Sequence, residues 1–222
     1  MRKPEYAQTI DHTVLKATTT RETISQFCRE AIEYGFASVC VNPSHVAFAA
    51  ENLAGSGVKT CCVIGFPLGA TTTLVKTVET AEAVKNGAHE LDMVINIGAL
   101  KEGREDFVYG DILAVVQAAH PHALVKVIIE SSDLTEEEIV TACLLAKRAG
   151  ADFVKTSSGF GNGGATVEAV RLMKQTVGES MQVKASTGIN NREICEAMLE
   201  SGAVRMGTSK GMLIVDGEPT LE

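Results

Sequence analysis

"RAGADFVKTS", residues 148 to 157, decides the fold. A helical stretch stops at Gly150, a residue free to take the left-handed conformation found just past helix ends, and a short apolar strand follows at once. The same junction recurs as "EYGFASVCVN" (33–42), "KNGAHELDMVIN" (85–96) and "ESGAVRMGTS" (200–209). The four glycines stand 52, 63 and 52 residues apart, so each interval has room for two helix–strand units. The intervening strands read as "VKTCCVIGF" (58–66), "LVKVIIE" (124–130) and "MQVKAST" (181–187), and "TIDHTVL" (9–15) opens the series. That makes eight.

Between these strands the apolar residues follow helical spacing, as in Ile24, Phe27, Cys28, Ala31 and again in Ile139, Ala142, Cys143, Ala146. Thr19 with Glu22, and Thr135 with Glu138, have capping-box spacing at two helix starts. Strand and helix alternate with short connections and no composition break, which predicts one α/β domain over residues 1–222. An eightfold count favours a closed (β/α)8 TIM barrel; an open doubly wound sheet is the alternative.

Composition sets the outer limits. The chain has 222 residues, 45% of them hydrophobic and 22% charged, which suits a globular protein with a sizeable core. A formal net charge of −8 opposes a nucleic-acid surface, although a small anion can still bind locally. The six cysteines show no CxxC pair and no regular spacing, so a reducing, cytoplasmic setting is expected. No apolar run approaches the ~18 residues of a membrane span, and the N-terminus has no signal-peptide core, so neither membrane insertion nor export is expected. Leu221 and Glu222 carry no part of the reading.

Alternate residues of a strand face opposite ways, so each barrel strand divides into a helix-facing and an interior set. Val125, Val127 and Ile129 oppose Lys126, Ile128 and Glu130; Leu91, Met93 and Ile95 oppose Asp92, Val94 and Asn96. Val154 and Thr156 oppose Phe153, Lys155 and Ser157, and Val183 and Ala185 oppose Gln182, Lys184 and Ser186. One interior therefore collects Asp92, Lys126, Glu130, Lys155 and Lys184. Charges shielded from water need partners or lose their ionisation. A satisfied ion-pair network would account for any single lysine, but the whole set points to chemistry. Burial and a neighbouring cation both disfavour an ammonium, so Lys155, facing Lys184 from the consecutive strand, is expected to be a nucleophilic amine able to form a Schiff base with a carbonyl. Asp92 would move the protons.

Gly159, Gly161 and Gly164 match G-x-G-x-x-G, but late in the chain, after a lysine-bearing strand and with only Glu179 as a poorly placed ribose acceptor. A backbone nest for phosphate suits them better, together with "STGIN" (186–190) and "GTSKG" (207–211), since barrels bind phosphate at their last loops. The histidines contain no HExxH and no G-x-S-x-G elbow is present, so no metal, no cofactor and no serine triad are expected. Cys40 ends a strand and reads as core filling.

Through "IDHTVLK", "YGFASVCVNP", "VIGFPLGATTT", "ELDMVINIGAL", "LVKVIIE", "GADFVKTSSGFGNGGAT" and "VKAS" the chain resembles the 2-deoxyribose-5-phosphate aldolases of the bacterial DeoC type, nearly end to end. The resemblance implies a metal-free class I lyase that reversibly cleaves 2-deoxy-D-ribose 5-phosphate into D-glyceraldehyde 3-phosphate and acetaldehyde, with a homodimer as its assembly. It implies Lys155 as the Schiff-base residue, Lys184 as its perturbing neighbour, Asp92 as acid/base, and phosphate contacts from Gly159, Gly188, Gly207 and Ser209. The chain departs from the family's frequent "SGGIR" and "GTSS" at Thr187, Asn190 and Lys210, and Lys210 is expected to replace the cation missing at 190. Two rivals stand beside this reading: another barrel aldolase with a longer phosphorylated ketose, and a non-catalytic sugar-phosphate binding barrel.

Overall fold

The computed structural model describes residues 1–217; residues 218–222, with Leu221 and Glu222 among them and the end of the expected domain, lie outside the described residues. Eight parallel strands close on themselves in sequence order, and β8 pairs back onto β1. They are β1 (Ile10–Thr13), β2 (Ser38–Val41), β3 (Lys59–Ile64) and β4 (Glu90–Val94), then β5 (Leu124–Ile128), β6 (Phe153–Lys155), β7 (Gln182–Ser186) and β8 (Arg205–Thr208). Closure removes both sheet edges and rules out the open doubly wound alternative.

Around them lie α1 (Lys3–Ala7), α2 (Arg21–Tyr34), α3 (Val46–Leu53), α4 (Thr73–Lys85) and α5 (Ile97–Lys101). The ring continues with α6 (Glu105–Ala119), α7 (Glu136–Arg148), α8 (Val167–Val177), α9 (Arg192–Glu200) and α10 (Gly211–Asp216). The glycines that punctuate the sequence, 35, 87, 150 and 202, all have positive φ, from 71° to 106°, as the repeated helix-to-strand junction requires. Thr135 and Glu138 form the expected reciprocal cap of α7, with Glu138 N–H donating to Thr135 Oγ1 at 3.2 Å and Thr135 N–H to Glu138 Oε2 at 2.8 Å. At α2 the cap is Thr20, whose Oγ1 accepts from Thr23 N–H at 3.3 Å. The expected Thr19 stands one residue too early, because Thr20 holds the extended conformation from which a hydroxyl reaches the first turn.

The period of two sorts each strand as expected. Val39, Leu91, Met93, Val125, Val127, Val154, Val183 and Met206 join the main apolar core between barrel and helices, all with no exposed surface. The opposite faces fill the barrel with Asp11, Cys40, Cys61, Asp92, Lys126, Lys155 and Lys184, each 2% exposed or less. Glu130 departs from the pattern. Its backbone turns left-handed (φ 54°), and its carboxylate accepts from Ser158 N–H at 3.2 Å in the loop after β6 instead of meeting the lysines.

Candidate active site

Register sets the first contact. Lys155 and Lys184 are paired positions on β6 and β7, and Asp92 is paired with Lys126 across β4 and β5. All four point inward, and their charged ends converge. Asp92 Oδ2 lies 2.8 Å from Lys155 Nζ and 2.7 Å from Lys184 Nζ, while Oδ1 lies 2.9 Å from Lys126 Nζ. One oxygen thus bridges the two lysines singled out from the sequence.

Four further groups complete the cluster, and sequence reasoning missed all of them. Asp11 on β1 meets Lys184 Nζ at 2.5 Å and Lys126 Nζ at 3.6 Å, and accepts from Ser38 Oγ at 2.6 Å. Glu90 on β4 meets Lys126 at 2.6 Å. Arg205 on β8 reaches Asp11 at 2.6 Å and Glu90 at 3.2 Å. Cys61 on β3 donates to Asp92 Oδ1 at 3.3 Å. Alternation alone would have found them, since Asp11 stands between helix-facing Ile10 and His12, and Glu90 two residues before Asp92.

Electrostatics follows from partner counts. Burial favours the neutral acid at Asp92, yet Lys126, Lys155 and Lys184 hold its carboxyl well below the usual carboxylate range. Asp11 is likewise held low by Lys184, Lys126 and Arg205 against its burial. At Lys184 burial opposes the ammonium, but Asp11 and Asp92 overcome it and hold the group above the ordinary lysine range. Lys184 is thus a charged neighbour of Lys155, the part the sequence reading gives it, with Asp11 as the added partner that holds its charge. Lys126, clamped by Asp92, Asp11 and Glu90, is also raised despite complete burial. Burial pushes the Cys61 thiol well above its ordinary value.

Cys40, Cys61 and Asp92 bring potential ligand atoms within 4.8 Å of one another. The charged Lys126 and Lys184, both within 2.9 Å of Asp92, oppose a dication there, so the donor set suits lysine chemistry instead. Cys40 packs with Cys61, Val63, Leu15 and Phe66 in a small apolar cluster, the core-filling role expected of it.

A cavity of about 390 Å³ opens among the loops that follow β1, β6, β7 and β8. Gly159, Gly188, Gly207 and Ser209, the four expected phosphate residues, all line it. Gly207 has a second reason to lack a side chain: a Cβ there would lie 2.9 Å from Ser186 Cβ and 3.2 Å from Lys184 Cε. Thr187, also in the wall, has φ 71°, a conformation strained for a β-branched residue. The cationic side chain in the lining is Lys16, at the end of the β1 loop. Lys210, expected as the replacement cation, is exposed and stands next to the lining residue Ser209.

A closed (β/α)8 barrel whose interior clusters lysines around a bridging carboxylate, with a glycine-lined cavity among its last loops, fits a lysine-dependent barrel lyase. Residues 6–215 match the model of the DeoC/LacD family aldolases, and the chain belongs to that family: it is an aldolase, a carbon–carbon lyase. A deoxyribose-phosphate aldolase of Geobacillus sp. (strain WCH70) is 59% identical over 212 residues, covering 96% of this chain and 95% of its own. Two solved structures share the fold closely. An aldolase called QR15 is 44% identical with a TM-score of 0.91, covering 95% of this chain and 94% of its own. The tetrameric deoxyribose phosphate aldolase of Aeropyrum pernix is 33% identical with a TM-score of 0.90, covering 96% and 91%.

Proposed function

We propose that the enzyme reversibly cleaves 2-deoxy-D-ribose 5-phosphate into D-glyceraldehyde 3-phosphate and acetaldehyde through an imine at Lys155, in the breakdown of deoxyribonucleotides. The observation that carries this reading is the unequal pairing of the three interior lysines. Lys126 meets three carboxylates, Lys184 two and Lys155 one. The lysine with the fewest carboxylate partners has the amine least engaged in ion pairs and so the most available to a carbonyl. Lys155 is also the one whose side chain retains some exposure, 3% against 0%.

The free amine of Lys155 attacks the substrate aldehyde carbon, and a proton moves from nitrogen to oxygen to give a carbinolamine. Asp92 Oδ2, between Lys155 and the charged Lys184, is placed to pass a proton from Lys184 to the departing hydroxyl, so that water leaves and a protonated imine remains. The iminium draws electrons from the bond between carbons 2 and 3. As that bond breaks, the carbon-3 hydroxyl loses its proton to the relay, directly or through water, and glyceraldehyde 3-phosphate departs. The enamine left on Lys155 is protonated at carbon 2 and hydrolysed to acetaldehyde. Gly159, Gly188, Gly207 and Ser209 would hold the phosphate by backbone and hydroxyl donors, with Lys16 supplying the compensating cation.

Among the described residues no helix is long and apolar enough to cross a membrane. Six buried free thiols fit a reducing compartment, and we place the enzyme in the cytoplasm. Leu74, Val75 and Val78 on α4, with Leu68, are 50–72% exposed on one side and offer a homodimer contact, testable by light scattering. Borohydride reduction in the presence of substrate is the deciding experiment for the chemistry. A stable adduct on Lys155, lost in Lys155→Leu, is expected by mass spectrometry; no adduct, or one elsewhere, would refute the assignment.

A further inference from the structure

Two members of the interior cluster stand too far down the barrel to meet a substrate. Glu90 opens β4 and Arg205 opens β8, whereas Lys155 closes β6, at the end where the cavity loops begin. Both are nonetheless joined to Lys155 by an unbroken chain of ion pairs. Arg205 contacts Asp11 and Glu90, these contact Lys126 and Lys184, and those share Asp92 with Lys155.

Charge counting gives the chain a consequence. When protonated, Lys126, Lys155, Lys184 and Arg205 bring four positive charges, against three negative ones from Asp11, Glu90 and Asp92. A buried cluster with one cation in excess becomes neutral by releasing one proton, and burial favours that release. Arg205 cannot supply it, being a guanidinium, and Lys126 and Lys184 are the more heavily paired. That leaves Lys155, the lysine with a single carboxylate partner.

Resting on the imine reading above, we propose that Glu90 and Arg205 are positioning residues for catalysis: through the cluster's net charge they set the fraction of Lys155 present as free amine. The other groups facing this cluster do not change the count. Cys61 on β3 is a thiol held protonated by burial; Cys40 on β2 lies within 4.8 Å of Cys61 and Asp92, its thiol drawn below the ordinary range by the hydrogen bond with Cys61, and is counted as neutral; Ser38 and Ser186 are uncharged. Glu130, after β5, directs its carboxylate to Ser158 N–H and forms no ion pair with the cluster.

The test is the pH dependence of imine trapping with acetaldehyde and cyanoborohydride, followed as adduct mass on Lys155. Acetaldehyde carries no phosphate, so no substrate ionisation enters. In Glu90→Gln the protonated cluster carries one more excess charge, and the limb at which trapping appears moves to lower pH. In Arg205→Met the excess vanishes, Lys155 keeps its proton, and the limb moves to higher pH. Each shift is on the order of one pH unit for a unit charge roughly 10 Å away at an effective dielectric near 20, a tenfold change in trapping rate below the limb. Arg205→Lys and the Glu90→Gln/Arg205→Met double variant restore the wild-type excess and return the limb close to its wild-type position. A merely structural role predicts lower melting temperatures with unmoved limbs, and that result, or shifts of the same sign, overturns the inference. Should Arg205→Met fail to fold, the isosteric Glu90→Gln still decides, by a downward shift or none. An adduct on wild-type Lys155 with unmoved limbs overturns this inference alone; no adduct in the wild type overturns the imine reading and this inference with it.

Discussion

Replacing Asp92 by Asn keeps the shape of the side chain and removes the charge on which three lysine Nζ atoms converge. All four groups are almost wholly buried, with contacts of 2.7 to 2.9 Å, so solvent cannot compensate for the loss. Removing one partner from a buried ion pair destabilises by about 3–5 kcal/mol. For a chain of this length each kcal/mol lowers the melting temperature by about 2–4 °C, so a fall of roughly 6–20 °C is expected at pH 7. The pH dependence has a definite sign. Asp92 is held well below its unfolded value, so its stabilisation is present above about pH 4 and is lost as pH falls through the folded value. Wild type and Asp92→Asn should therefore differ by a constant amount down to about pH 4 and converge below it. Thermal melts followed by circular dichroism across pH 3–8 measure this, and the same variant should lose about 10²–10⁴-fold in turnover because the relay loses its acceptor. A variant melting within about 2 °C of wild type at pH 7 would refute the argument, since the carboxylate would then not be what compensates the lysines.

Other perturbations test separate parts. Lys184→Leu removes a cation beside Asp92 and Asp11, so both carboxylates hold Lys155 protonated more strongly; turnover should fall and its acidic limb move upward, and an unmoved limb would deny the coupling. Lys16→Met should raise KM for the phosphorylated substrate about ten- to a hundredfold, as expected for one lost charge-assisted hydrogen bond, with less effect on kcat; Lys210→Ser, outside the cavity, should leave KM near wild type, and the reverse ranking would return the cation to position 210. Thr187→Gly removes the β-branched side chain from a left-handed backbone and should stabilise the fold by about 1 kcal/mol; a lower melting temperature would mean that the threonine's contacts across Gly159 and Gly164 outweigh the strain.

The repeated helix–glycine–strand junction determined the barrel, because a backbone with positive φ and a period-two pattern are local properties written residue by residue. The same alternation carries Asp92, Lys126, Lys155 and Lys184 into one interior. Glu130 shows where the rule stops: once a strand turns left-handed, alternation no longer tells which way a side chain points.

What tertiary structure decided was the sign of the electrostatics. The sequence placed two lysines on neighbouring strands, with Lys184 as the cation beside Lys155; closing β1 and β8 against each other added Asp11 and Arg205, and Asp11 is what holds Lys184 charged despite its burial. Likewise Lys16, from the far end of the chain, lines the cavity among the last loops, because barrel closure sets the β1 loop beside those of β7 and β8. A charge acts on all neighbours within reach whatever their separation in sequence, so protonation is a property of the assembled interior, whereas strand periodicity belongs to the chain.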